Sequence, residues 1–187
     1  MMKFRLALLM AFMSCTICAL AAVGYDHLKR PMHIHKVKEL ALEIWTEAEP
    51  EWESRLEWNN GQATFVAETP ALTYPPAGMT WVSRAGFNFS EQELEEGARG
   101  AVHQAARNYG VQAGSAIELK AAHYGDLAGY EAEFSANAKG TPVDVRVFCG
   151  RQPGKAAVVM QAFTLKGKLG HISEQIRRSW TNLRYLK

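Results

Sequence analysis

From Ile117 to Leu183 apolar and polar residues alternate with a period of two, break at turn residues, and then change to a helical period. In Val143-Asp144-Val145-Arg146-Val147-Phe148-Cys149 the valines and the cysteine take odd positions, with Asp144 and Arg146 between them. That is the pattern of a strand with one dry face. Tyr130, Ala132 and Phe134 alternate with Glu131, Glu133 and Ser135 in the same way, and Asn137-Ala138-Lys139-Gly140 supplies a turn between the two runs. The spacing predicts a β-hairpin. With Ala136 placed opposite Thr141, Glu131 faces Arg146 and Glu133 faces Asp144, one attractive pair and one repulsive. Beyond Gln152-Pro153-Gly154, the run from Ala156 to Leu165 is apolar on both parities except at Gln161 and Thr164, which predicts a central strand covered on both faces. After Gly167 and Gly170, Ile172, Ile176, Trp180 and Leu183 recur at three- and four-residue spacing. They predict a helix anchored on the sheet by Trp180, with Glu174, Arg177, Arg178 and Arg184 facing away.

Upstream, Leu40, Leu42 and Ile44 alternate with Glu39, Ala41 and Glu43 until Glu49-Pro50. Trp52, Ser54, Leu56 and Trp58 then alternate with Glu51, Glu53, Arg55 and Glu57, Asn59-Asn60-Gly61 makes a turn, and Thr64, Phe65 and Val66 follow. This reads as a meander of three strands. Pro70, Pro75, Pro76 and Gly78 make Thr69 to Gly78 an extended loop, and Met79 to Phe89 reads as another strand. Ser90-Glu91-Gln92-Glu93 is a capping box that opens a helix with the apolar stripe Leu94, Ala98, Ala101, Val102, Ala105 and Tyr109, ended by Gly110. The expected class is therefore α+β: an antiparallel sheet of about six to eight strands covered by two main helices, an α/β/α sandwich forming one domain over 39–187.

At the N-terminus, Lys3 and Arg5 precede an apolar run from Leu6 to Val23 that ends in Ala19-Leu20-Ala21-Ala22, the plan of a secretory signal peptide over 1–22. The expectation is a periplasmic protein. An uncleaved anchor, or lipidation at Cys15 or Cys18, is the alternative, and only such an anchor would tie the protein to a membrane. Residues 23–38, with Lys29, Arg30, Pro31, Lys36 and Lys38, read as an irregular basic arm. Lys3 and Arg5 account for the whole formal charge of +2, so the mature chain is near neutral and offers nucleic acid no general attraction. The glutamates from Glu39 to Glu57 read as a solvated face. Once the signal is removed Cys149 is the remaining cysteine, and its place among the valines makes it a core residue rather than a nucleophile.

Candidate chemistry is sparse. Gly97-Ala98-Arg99-Gly100 lies inside the helical stripe rather than in a phosphate loop, and there is no G-x-S-x-G elbow. His33 and His35 share one side of an extended chain, too few ligands for a metal site, and no cofactor is expected. Glu131, Glu133 and Asp144 are candidate acid-base carboxylates, but with Arg146 beside them cross-strand pairing accounts for them better. Trp45, Trp52 and Trp58 either fill the core or, with their neighbouring glutamates, form a recognition surface. The candidate partner-binding residues are Trp45, Trp52, Glu53, Tyr74, Glu131, Glu133, Asp144 and Arg146.

The order strands, capped helix, four antiparallel strands and closing helix, together with Gly129-Tyr130-Glu131, Phe148 and Ile176-Arg177-Arg178-Ser179-Trp180, resembles the PsbP-like and DcrB-like family of α/β/α sandwiches. The likeness covers about Glu39 to Leu186, and similar exported proteins include immunity proteins paired with type VI secretion effectors. It implies a non-enzymatic protein that binds a protein partner, with an immunity or inhibitory role as one form, and it carries no catalytic residues over. The histidine-containing arm and the Trp-Glu meander depart from the family pattern. Two other readings are an envelope-biogenesis accessory acting at the membrane surface through the basic arm, and a metal-dependent hydrolase built on His33, His35 and the carboxylates.

Overall fold

Turn chemistry sets the first hairpin. Asn60 and Gly61 both hold positive φ (49° and 78°), the geometry that joins two twisted strands through a two-residue turn. In the computed structural model, which describes residues 30–84, 90–111 and 116–187, this turn links β3 (Glu53–Asn59) to β4 (Gln62–Glu68). The expected signal segment and the end of the strand expected over Met79 to Phe89 lie outside the described residues. The remaining strands are β1 (Met32–Val37), β2 (Leu42–Glu47), β5 (Ala77–Arg84), β6 (Lys120–Tyr124), β7 (Leu127–Ala138), β8 (Thr141–Arg151), β9 (Ala157–Leu165) and β10 (Arg184–Tyr185). Two helices, α1 (Glu91–Asn108) and α2 (Leu169–Thr181), complete the described elements together with a 3-10 turn at Lys38–Leu40. Neither described helix is long and apolar enough to cross a membrane.

Seven strands form one antiparallel sheet in the order β3-β4-β5-β9-β8-β7-β6, and a second sheet has the order β1-β2-β10. β9 is interior, as its two-sided apolar run requires. Alternate residues of the large sheet serve two cores. Val143, Val145, Val147 and Cys149 meet Leu94, Ala98, Val102 and Ala105 of α1, whose N-terminus is closed by the reciprocal Ser90–Glu93 capping box. Phe148, Met160, Trp81 and Met79 point the other way and pack with Ile172, Ile176 and Trp180 of α2 and with Leu42 and Ile44 of β2. Trp180 lies 5.0 Å from Tyr124, and Tyr124 lies 5.0 Å from Phe148, both edge to face. Such pairs contribute about 0.5–1.5 kcal/mol beyond their burial. The ring of Phe148 folds over Gly150, where an added Cβ would stand 2.3 Å from its Cζ.

Several expectations are corrected. The β7–β8 register is shifted by two residues: Ala138 faces Thr141, Glu133 faces Arg146 and Ser135 faces Asp144. The faces are unchanged, because a two-residue shift preserves side-chain parity, and the repulsive Glu133–Asp144 pair is avoided. The three-strand meander is divided, since β2 leaves β3 and β4 to pair with β1 and β10. Of the expected irregular arm over 23–38, residues 23–29 lie outside the described residues and Met32–Val37 is a strand, because β2 supplies its backbone partners. Arg178 faces inward rather than away, meeting Glu47 of β2 at 3.3 Å with side-chain exposures of 9% and 4%. Glu47 is thereby removed from the expected solvated glutamate face: α2 lies across β2 and buries both charges together.

Candidate functional site

One end of the large sheet gathers residues from across the chain. The loop between β4 and β5 is fastened at its base, where Thr69 N donates to Ala77 O (2.9 Å) and Thr69 Oγ1 accepts from Ala77 N (3.0 Å). Thr164 of β9 adds a hydroxyl donor to Pro76 O at 2.7 Å. Above this base Thr73 N donates to Pro70 O at 3.1 Å, and Leu72 takes φ 70° with its side chain fully exposed (104%). Tyr74 is 71% exposed, and the Lys168 ammonium stands 5.7 Å from its ring centroid. That separation is within cation–π range.

The turn carrying Lys168 connects the loop to the polar strip of β7 and β8. Gly167 N donates to Asp144 Oδ2 (2.6 Å), and Ser135 Oγ donates to Asp144 Oδ1 (2.7 Å). Next along the sheet Arg146 holds Glu133 through Nε (2.8 Å) and Nη2 (2.6 Å). Burial of Arg146 would lower its pKa, but the hydrogen bond and charge of Glu133 outweigh it and the pKa rises. Tyr124 donates to Glu131 Oε2 at 2.7 Å. Its hydroxyl pKa is raised, first by burial and then by that bond, so the phenol stays a protonated donor. These carboxylates are occupied by neighbours, and this network cross-links strands rather than splitting two carboxyl groups into an acid and a base.

The eight candidate residues therefore separate. Tyr74 and Asp144 flank the Lys166–Lys168 turn, with Glu133, Arg146 and Glu131 running away from it along the strip. Glu53 lies at the same end of the sheet, exposed and paired in register with Glu68. Arg55 relieves that like-charge pair by bonding Glu68 (2.5 Å) and Glu57 (2.6 Å). Trp52 is 4% exposed and belongs to the core, whereas Trp45 is half-buried in the small sheet, opposite Ile34 and bonded to Glu43 Oε1 at 3.3 Å. Trp58 is 61% exposed on β3. Sequence reasoning missed Leu72, whose signal was an apolar residue inside a proline-rich loop, and Lys168, for which the sequence offered none.

The residues of the hydrolase reading are placed as follows. His33 meets Glu51 at 3.4 Å, and His35 Nε2 shares a hydrogen bond with Thr46 Oγ1 at 2.8 Å. No group of three or more His, Cys, Asp or Glu side chains among the described residues is arranged to hold a metal ion. Cys149 is 2% exposed, within the valine core.

No family model matches the chain, and no curated protein matches it. A solved structure from Bacteroides thetaiotaomicron aligns with 82% of this chain at 12% identity and a TM-score of 0.51, and the chain spans about half (48%) of that protein's length. A Pseudomonas aeruginosa protein of unknown function aligns over 81% of this chain and 94% of its own length, with 14% identity and a TM-score of 0.45. The class this defines is a fold: an antiparallel α+β protein with a seven-stranded sheet, a three-stranded sheet and two described helices, similar to the Bacteroides structure.

Proposed function

We propose that this chain is an exported, non-enzymatic binding protein of PsbP-like or DcrB-like build, and that a protein partner docks on the Leu72–Tyr74 loop. An immunity or inhibitory role is the narrower form of this reading. The observation that carries it is Leu72: a leucine fully exposed to water in the left-handed region. That conformation costs a non-glycine residue about 1–2 kcal/mol, and exposure returns none of it within the monomer. Tyr74 adds a second exposed apolar surface, with Lys168 and Asp144 at its border. An apolar centre with a polar rim is the usual anatomy of a recognition patch.

The test compares the tagged chain with Leu72→Gly and with Leu72→Asp/Tyr74→Ala in capture from periplasmic extract, followed by direct titration of the enriched partner. Leu72→Gly relieves the backbone, so its thermal stability is expected to stay level or rise by about 0.5 kcal/mol while partner affinity falls. The double variant is expected to weaken binding by at least about tenfold. Partner affinity unchanged in both variants would remove the loop from recognition.

The membrane-surface reading has its own support. Lys36, Lys38, Arg184 and Lys187 line one groove on the small sheet, with Glu43 as its acidic member. Salt-sensitive binding of the full chain to anionic vesicles, lost in Lys36→Glu/Arg184→Glu, would favour it over protein docking.

A further inference from the structure

We propose that the α1 side of the β6–β7 edge binds a small amphipathic carboxylate, a ligand distinct from the protein partner of the loop. His123 of β6 pairs with Ala128 of β7, which pairs with Arg151 of β8. Side chains in one cross-strand row point to the same face, so a histidine and an arginine stand two strand spacings apart, roughly 10 Å, with an alanine methyl between them. The next row places Ala121 beside Tyr130. Leu94 of α1 and Pro153 add apolar walls, and the space has a volume of about 360 Å³. That is the small end of the ~300–1,000 Å³ range of small-molecule sites.

The polar groups of this cavity are available. Among the described residues the Arg151 guanidinium, the His123 ring and the Tyr130 hydroxyl make no side-chain hydrogen bond or ion pair. Arg151 acts through space on Glu93, but that carboxylate is committed to Ser90 N at 2.5 Å. Asp126, on the nearby β6–β7 turn, is engaged by Gln152 Nε2 at 3.1 Å. A guanidinium fork matches a carboxylate by two parallel hydrogen bonds, and the alanine floor with Leu94 and Pro153 suits an aliphatic or aromatic body. A bare phosphate would meet the arginine but leave the apolar walls unfilled.

The probes are octanoate, the uncharged octanamide, and inorganic phosphate, titrated into the full chain by calorimetry and amide NMR. Octanoate is expected to saturate one site, with shifts centred on Ala128 and Arg151, and to bind at least about tenfold more tightly than octanamide. Arg151→Gln is expected to weaken octanoate about tenfold. Ala128→Leu fills the floor at an exposed position and leaves the charges in place, so it abolishes saturation even where Arg151→Gln perturbs folding. Absence of saturable octanoate binding, equal affinity for octanamide, a response to phosphate alone, or octanoate binding that survives Ala128→Leu would each overturn the assignment.

Discussion

The two faces of the seven-stranded sheet are built from different sizes of residue. On the α2 face Trp81, Trp180, Phe148, Met79 and Met160 are fully or almost fully buried, and the small sheet adds Leu42 and Ile44. On the α1 face an alanine-rich helix lies on valines and Cys149. Small residues let that helix approach the sheet closely, and it lies chiefly over β7 and β8. Ala121, His123 and Ala128 at the β6 edge are left exposed. The bulky face is covered by two elements, whereas among the described residues the lean face leaves the cavity beside β6 open.

Exchanging side chains on each face tests that difference. Trp180→Ala removes a ring that touches both Tyr124 and Phe148, and is expected to cost about 3–5 kcal/mol in urea denaturation. Val145→Ala, equally buried on the other face, is expected to cost only about 1.5–3 kcal/mol. A Val145 cost equal to that of Trp180 would break the contrast. Ser90→Ala deletes the cap that holds α1 in place, with an expected loss of about 1 kcal/mol, while ring packing on the α2 face stays unchanged by near-ultraviolet circular dichroism.

The smallest expected effect concerns pH. His35 packs 5.0 Å from Phe65 on the α2 face, and its pKa is lowered from the ordinary 6.5 by desolvation, then by the neighbouring His33, against an opposing pull from Glu51. The folded state therefore binds this proton less tightly than the unfolded chain. The stability tied to neutral His35 is full above pH 6.5 and is lost as pH falls through the folded pKa. Denaturation midpoints of His35→Gln measured against pH should show a shallower decline below pH 6.5 than the parent; an identical decline would assign the acid sensitivity elsewhere.

Local patterning identified most elements whose deciding contacts are close in sequence, but it missed the β1–β2 hairpin and set the β7–β8 register two residues off. The β3–β4 and β7–β8 hairpins, the Ser90 cap, the two apolar helical stripes and the inward Cys149 all follow from residues near one another in the chain. The candidate site was only half legible, because Tyr74 and Asp144 signal an exposed loop and a polar strand face, yet nothing local brings them to one turn.

What the amino-acid sequence alone determined, then, is which residues alternate, which turn and which face a dry surface, since propensity and periodicity act over a few residues. Tertiary structure decided the rest: that β2 takes the C-terminal β10 as a partner, that Arg178 turns inward to Glu47, and that Lys168 reaches Tyr74. Each of these depends on a partner distant along the chain, and such a choice is made by closing long loops around a shared core.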